Sequence, residues 1–431
     1  MRTFLSLADV DNRAAAGSEP PPQSVSKEQR SGTGFSPGFS SFLDFSRWLA
    51  AFVVFIGHLR GVIFIGYPDL PSGERSYLVG ALYFLSGFGL SSVVVFFVLS
   101  GFLVGGIGIT KVKSGRFDTL NYSIDRFVRL FIVYVPALVL TLILDFIGNR
   151  FFTDTGLWNC GSALMCEHFS DFTKLLSLKT FLMNLFMLQS FYSPYFGSAK
   201  PLWSLSYEFW FYVEFGLLAA ALLHGRALRG RLAIVAIIVA AFLGFRFLAL
   251  LGVWFIGVAV SLYAGDKLRN PLLSIVAFVL SSFAMRRFGA LEAASDLKEY
   301  LLIYMNALSF AWVIISVKDL PLTIFSRFAS LNKFFADFSY TVYLIHFPLM
   351  LFVVGVIAHF FNITQIITGF MPTSPVGLKL YFSTLILVLS LCRLFAQCTE
   401  RHTDNIRAEL KGRLRPLLGM GNSVAGKLGG K

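Results

Sequence analysis

The stretch LDFSRWLAAFVVFIGHLR, residues 43–60, is apolar enough to enter a membrane, yet it contains four ionisable side chains: Asp44, Arg47, His58 and Arg60. An Arg or Asp at the centre of a membrane helix costs about 2.5–3.5 kcal/mol even on the scales that give the lowest values. Ionisable residues inside a membrane therefore often mark a functional site. The segment predicts a first transmembrane helix that carries part of such a site.

The composition of the whole chain favours a membrane protein. Of its 431 residues, 56% are hydrophobic and only 14% are charged, whereas a soluble globular chain has about 25% charged residues. The apolar runs are ~15–25 residues long and do not alternate with polar residues, which excludes a membrane β-barrel. The expected fold class is an all-α polytopic membrane protein.

Eleven apolar segments are candidates for membrane spans. They cover residues 42–65, 78–109, 126–148, 178–192, 201–223, 232–249, 251–265, 271–285, 300–317, 336–361 and 377–397. Basic loops lie on the cytoplasmic side of such proteins, and the basic loops here alternate correctly only if one segment fails to cross. Segment 178–192 is short and contains Asn184 and Gln189, so we expect it to be re-entrant or interfacial. We therefore predict about ten spans, with both termini in the cytoplasm.

The same topology accounts for the net charge of +13. Because the basic residues are concentrated in particular loops and in the C-terminal tail, we attribute the charge to membrane orientation and expect no nucleic-acid partner. Residues 1–40 are predicted to be a disordered cytoplasmic tail, residues 41–398 a membrane-embedded domain and residues 399–431 a basic cytoplasmic tail. The four cysteines form no zinc-binding pattern, and we expect no metal site. Cys160 and Cys166 could form a disulfide bond or remain free thiols.

Two pairs of basic residues lie at suggestive positions. Arg47 and His58 are eleven residues apart, so on a helix they share one face and are separated by about 16 Å along the axis. Arg126 and Arg129 are one turn apart at the start of the third helix, near the expected depth of Arg47. Three arginines at one depth would suit a ligand with several phosphates. The alternative is that the arginines only flank a membrane span.

Two later helices contain further ionisable residues. Glu208 lies about two turns into a helix that starts near Pro201, which places it near the expected level of His58. A carboxylate there would raise the basicity of the imidazole and fix its tautomer. His346 lies near the middle of another span, with Tyr343 one turn earlier on the same face. For His58 and for His346, the alternative is a polar contact that only packs helices together.

Five stretches together resemble one known family. They are LDFSRWLAAFVVFIGH (43–58), VVVFFVLSGFLV (93–104), DRFVRLF (125–131), PLWSLSYEFWFY (201–212) and SYTVYLIHFPL (339–349). In this order and spacing they are similar to the acyltransferase-3 family of integral membrane O-acyltransferases, over about residues 41–400. Arg47 with His58 matches the family's Arg-x10-His motif, and Arg126 with Arg129 matches its Arg-x-x-Arg motif. Where many members have a second glutamate after Glu208, this chain has Phe209.

The resemblance implies transfer of an acyl group, acetyl or succinyl, from a coenzyme A thioester to a hydroxyl of a cell-surface or lipid-linked glycan. Such enzymes lie in the bacterial inner membrane, with acyl-CoA as a substrate and no tightly bound cofactor. By the family pattern His58 is the catalytic histidine and Arg47, Arg126 and Arg129 are its partners. We predict Glu208 as a second catalytic residue. We assign His346, Tyr343 and Ser204, with the arginines, to the substrate or coenzyme A site.

Two other functions are compatible with these residues. A transporter or flippase of glycolipids or acyl groups could use His58 and Glu208 as a proton relay within the membrane. A membrane scaffold without catalytic activity would have no need of His58 and should tolerate its removal. Covalent acylation of a glycan separates the predicted transferase from both, because neither a transporter nor a scaffold leaves an acyl ester.

Overall fold

The computed structural model describes residues 35–159, 172–289 and 297–417. The predicted N-terminal tail lies mostly outside these residues, and so do Cys160 and Cys166. The described helices are α1 (Pro37–Ile63), α2 (Tyr77–Leu85), α3 (Gly89–Ser100), α4 (Gly106–Lys113), α5 (Thr119–Phe151), α6 (Phe172–Leu175), α7 (Leu178–Leu185), α8 (Trp203–Leu223), α9 (Arg226–Leu243), α10 (Phe245–Leu262), α11 (Pro271–Phe288), α12 (Leu297–Val317), α13 (Thr323–Arg327), α14 (Ala329–Phe360), α15 (Pro375–Cys398) and α16 (Thr403–Leu417).

The all-helical polytopic fold is confirmed. Within the described ranges, eight helical stretches are long and apolar enough to cross a membrane. They are Pro37–Ile63, Tyr77–Lys113, Thr119–Phe151, Phe245–Leu262, Pro271–Phe288, Leu297–Val317, Ala329–Phe360 and Pro375–Pro416. This is two fewer than the ten predicted spans. Helices α8 and α9 make up the difference: they have 21 and 18 residues, but two glutamates lower the hydropathy of α8, and α9 begins with three arginines.

The segment predicted not to cross is indeed too short to do so. Helix α7 has 8 residues and is therefore only about 12 Å long, whereas a span needs about 20 residues. The polar residues of segment 178–192 that the prediction used, Asn184 and Gln189, are fully buried in protein contacts. The Asn184 side chain donates to the carbonyl oxygens of Thr180 and Pro194, and the Gln189 side chain donates to the carbonyl oxygen of Leu202.

One predicted boundary was wrong. The expected break near residue 250 lies at Gly244, between α9 and α10, where φ is +84°. A positive φ is strained for residues with a Cβ, and glycine adopts it freely. Apart from Arg246, the residues on both sides of this position are apolar, so hydropathy alone did not reveal the break.

The centre of the bundle is α14. It packs against α1, α5 and α15, and α1 also packs against α3. His346 on α14 has no exposed surface. Helices on the outside present apolar side chains instead, such as Ile237 on α9 and Leu280 on α11, which are 67% and 63% exposed. This arrangement places the polar residues of α1 and α14 inside the protein and leaves the outer surface suited to lipid.

A close approach of two backbones fixes the position of α3. A short π-helical turn, Gly101–Gly105, continues α3 into α4. A Cβ added at Gly101 would collide with the carbonyl oxygen of Trp254, and one added at Gly257 would collide with that of Val98. Only glycine at both positions lets α3 and α10 pack this closely, which explains the glycine of the FFVLSG stretch.

We expect Gly257→Ala to destabilise the protein by about 1–3 kcal/mol, because the added methyl group overpacks a contact between two backbones. Thermal unfolding of the detergent-solubilised protein, followed by size-exclusion chromatography, should show a lower Tm. Gly80→Ala is the matched control, since a Cβ at Gly80 meets no atom within 4 Å and alanine favours a helix. An equal Tm for both variants would contradict the proposed packing.

The basic segment after α15 forms the helix α16, which is attached to the start of α5 by ion pairs. Lys411 and Arg407 contact Asp125 at 2.6 and 3.2 Å, and Arg415 contacts Asp118 at 3.0 Å. Burial alone raises the pKa of Asp118, but hydrogen bonds from the Asn121 backbone and from Arg415 outweigh it, and the pKa lies below its ordinary value. The start of α16 is thus held beside Arg126 and Arg129.

Candidate active site

Two cavities lie at opposite ends of α1. The histidine cavity, of about 570 Å³, is lined by His58, by Tyr343 of α14, by Arg246 and by residues of the 190–203 segment. The arginine cavity, of about 690 Å³, is lined by Arg47, Arg126 and Arg129, by residues of α14, and by residues of the 393–407 segment. Because Arg47 and His58 are eleven residues apart on one helix, the two cavities begin about 16 Å from each other.

His58 and His346 form a hydrogen-bonded pair. The Nδ1 atom of His58 lies 2.9 Å from the Nε2 atom of His346. The ring planes are parallel to within 4° and the ring centroids are 5.2 Å apart, so the nitrogens meet edge to edge. His58 is half-buried and lines the histidine cavity, whereas His346 is fully buried behind it.

The backbone of α14 determines the tautomers of this pair. The Nδ1 atom of His346 lies 2.8 Å from the carbonyl oxygen of Val342 and 3.0 Å from that of Tyr343. A carbonyl oxygen only accepts hydrogen bonds, so Nδ1 of neutral His346 carries the proton and Nε2 has the lone pair. Nε2 then accepts from Nδ1–H of His58. In neutral His58 the basic lone pair is therefore on Nε2.

Tyr343 and Ser204 connect the start of α8 to α14 beside this pair. Their hydroxyl oxygens are 2.5 Å apart, and the Tyr343 hydroxyl also lies 3.2 Å from the carbonyl oxygen of Pro201. Since Tyr343 has one proton to donate to that carbonyl, the Ser204 hydroxyl donates to Tyr343. Both residues are buried, and Tyr343 is the one that lines the histidine cavity.

Glu208 belongs to a separate hydrogen-bonded chain. Its carboxylate accepts a hydrogen bond from the Tyr212 hydroxyl. The Tyr212 oxygen lies 3.0 Å from the Ser100 hydroxyl, which accepts from the Trp254 indole at 3.1 Å. This chain joins α8 to α3 and α10. The structure brings His58 to His346 rather than to Glu208, and the catalytic role of Glu208 stays a prediction.

The three arginines predicted to lie at one depth meet in the arginine cavity. Arg47 pairs with Asp44, and Arg126 lies over the ring of Tyr212, 5.8 Å from its centroid. The Nε atoms of Arg47 and Arg126 are buried without a hydrogen-bond partner among the described residues. The starts of α1 and α5 and the end of α15 thus lie on one side of the bundle, as the charge pattern predicts.

Arg129 is held by a residue that sequence reasoning did not single out. Its guanidinium contacts Glu400 at 2.8 Å, and the other oxygen of Glu400 accepts from the Thr341 hydroxyl at 3.0 Å. Arg393, Arg401 and Arg407 also line the arginine cavity and were also missed. In the sequence these residues resemble an ordinary positive flank after the last span, and only the folded chain shows that they surround a cavity.

A comparison with protein families assigns the chain to one of them. The family model described as an acyltransferase domain, acyltransferase 3, matches residues 40–393. No curated protein and no solved structure matches the chain. The matched range contains α5, α8, α14 and all but the first three residues of α1, and these helices carry the Arg126–Arg129 pair, Glu208, His346 and His58. The chain therefore belongs to the acyltransferase 3 family of membrane acyltransferases.

Proposed function

We propose that the protein transfers an acyl group, acetyl in the first place and succinyl as an alternative, from a coenzyme A thioester to a hydroxyl of a cell-surface or lipid-linked glycan. The observation that carries the proposal is the His58–His346 pair beside a cavity. A sugar hydroxyl is a weak nucleophile and needs a base that titrates near neutral pH, which histidine supplies. The pair leaves the basic lone pair of His58 on Nε2.

The reaction uses this lone pair twice. Nε2 of His58 takes the proton of the acceptor hydroxyl while the hydroxyl oxygen attacks the thioester carbonyl carbon. The carbon–sulfur bond then breaks, and the coenzyme A sulfur leaves with the proton that Nε2 has held. His346 keeps its own proton on the backbone carbonyl oxygens throughout and accepts the hydrogen bond from the protonated ring. His58 needs no change of tautomer between the two steps.

The two cavities suit the two substrates. Arginine side chains bind phosphates through paired, charge-assisted hydrogen bonds, so the arginine cavity suits the nucleotide end of coenzyme A. Its thiol arm would then extend along α1 towards His58, and the glycan would enter from the histidine cavity. Coenzyme A is a cytoplasmic compound. The arginine cavity and both termini are accordingly proposed to face the cytoplasm, in the inner membrane of a bacterium.

Arg126→Gln should raise the KM for acyl-CoA about tenfold, the effect of losing one hydrogen bond to a charged group, and leave the KM for the glycan unchanged. Lys113→Gln is the control, because Lys113 is exposed at the end of α4 and belongs to the same basic loop. Steady-state kinetics with both substrates give the two constants. If folded Arg126→Gln has an unchanged KM for acyl-CoA, Arg126 does not bind the donor and only flanks a membrane span.

The proposed activity is tested in the organism by mass spectrometry of surface glycans from cells with and without the gene. The expected result is the loss of one acyl mass from a defined glycan in the deletion strain, and its return with a plasmid copy. If all acyl groups remain and a whole glycan is missing from the surface, transport replaces acyl transfer as the function.

A further inference from the structure

The wall of the arginine cavity extends beyond the acyltransferase domain. The family match ends at residue 393, but Glu400, Arg401, Thr403, Asp404 and Arg407 also line this cavity. They belong to the turn Glu400–His402 and to the first part of α16. The chain outside the family domain therefore forms one side of the cavity in which Arg47, Arg126 and Arg129 meet.

The cavity has a clear excess of positive charge. Six arginines line it, against three carboxylates. Arg393, Arg401 and Arg407 supply half of the arginines, and Arg401 and Arg407 follow the family match. The carboxylates of Glu400 and Asp404 are engaged in ion pairs with Arg129 and Arg407. The surplus of three positive charges suits a ligand with several phosphate groups more than one with a single carboxylate.

Ion pairs hold this wall in place. Arg407 pairs with Asp125 and with Asp404, at 3.2 and 2.6 Å, and Lys411 also pairs with Asp125. Asp125 directly precedes Arg126, so the attachment point of α16 lies next to a residue of the cavity. Arg401, by contrast, is exposed and makes no ion pair with any residue that the structure describes. Among the arginines that line the cavity, Arg401 would therefore lose the fewest contacts with described residues on binding a ligand.

We propose that segment 400–407 is part of the donor site, in which Arg401 and Arg407 bind phosphates of acyl-CoA and Glu400 positions Arg129. This inference rests on the proposed use of a coenzyme A donor. A coenzyme A nucleotide carries a pyrophosphate and a separate ribose phosphate, and a ring of arginines from α1, α5, α15 and α16 can contact both. Helix α16 thus takes part in donor recognition.

The test compares Arg401, in the turn Glu400–His402, with Arg413, in the second half of α16. Arg401→Gln removes a charge that lines the cavity. Arg413→Gln removes a charge from α16 that is 74% exposed, pairs with Glu409 and does not line the cavity. Each purified full-length protein is placed in nanodiscs of zwitterionic lipid, and its affinity for coenzyme A and for 3′-dephospho-coenzyme A is measured by calorimetry. An unchanged elution profile shows that each variant is folded.

Wild-type protein and Arg413→Gln should bind coenzyme A equally, and Arg401→Gln about tenfold more weakly, as expected for one lost charge-assisted contact. A weaker effect with 3′-dephospho-coenzyme A than with coenzyme A assigns Arg401 to the ribose phosphate, and an equal effect assigns it to the pyrophosphate. Either pattern supports the proposal.

Three results would overturn it. Equal coenzyme A affinity in wild-type protein and Arg401→Gln excludes segment 400–407 from the donor site but leaves the proposed function intact. If only the retention of added phosphatidylglycerol depends on Arg401, the segment binds lipid headgroups instead. If the wild-type protein binds no coenzyme A at millimolar concentration, the coenzyme A donor itself is wrong.

Discussion

His58→Ala should transfer acyl groups at least ~100-fold more slowly than the wild-type protein, because general base catalysis contributes about 10²–10⁴-fold. The variant should still reach the membrane, since the loss of one hydrogen bond costs only about 1–3 kcal/mol. Rates of acyl ester formation, normalised to the amount of folded protein, measure the effect. His224→Ala is the control, because His224 directly follows α8 and lines neither cavity.

A second substitution at the same position distinguishes the role of His58 as a base from its hydrogen bond to His346. The amide of His58→Gln can still donate to Nε2 of His346, but it cannot accept a proton from a sugar hydroxyl. This variant should therefore be as slow as His58→Ala and at least as stable. Full activity of either variant at normal expression would leave His58 as a packing residue and end the proposed mechanism.

His346 should prove nearly as important as His58, although it is buried behind it. In His346→Leu the proton of Nδ1 of His58 loses its acceptor, so the ring can turn or change its tautomer and place the proton on Nε2. We expect kcat to fall by about 10²-fold or more, towards the loss at His58 itself, with the donor KM unchanged. The KM for the donor should not change, because His346 does not line the arginine cavity.

Rescue by a conservative variant distinguishes positioning from packing. His346→Gln offers an amide oxygen to His58 and an amide N–H to the carbonyl oxygens of Val342 and Tyr343, so it should recover part of the lost kcat. If His346→Leu and His346→Gln have the same low kcat and the same thermal stability, the hydrogen bond from His58 to His346 does not support catalysis.

Much of the fold could be predicted because the chemistry of the bilayer is simple. Runs of apolar residues gave the spans, and the charge of the loops excluded segment 178–192, which forms only the short helix α7. The break at Gly244 could not be read from hydropathy, because it depends on a positive φ rather than on polarity. The ten predicted spans included α8 and α9, which are not among the eight stretches apolar enough to cross, because their charged residues lower the mean hydropathy.

The candidate site, too, could be predicted from the sequence only in part. The convergence of Arg47, Arg126 and Arg129 followed from helix periodicity and from their common depth, and the structure places all three around one cavity. The contact of His58 with His346 joins residues 288 positions apart and depends on which faces α1 and α14 present to each other. No local pattern contains that information. Sequence reasoning therefore suggested Glu208 as the partner of His58, while the structure pairs Glu208 with Tyr212.

The most direct test of the central claim is transfer by the purified protein. The wild-type protein and His58→Gln, each in nanodiscs, are incubated with acetyl-CoA labelled in the acetyl group and with isolated surface glycan, and alkali-labile label on the glycan is counted. The proposed mechanism predicts an ester on the glycan with the wild-type protein and at least ~100-fold slower labelling with His58→Gln. Equal labelling by both proteins, or no ester with any glycan that the organism makes, would contradict it.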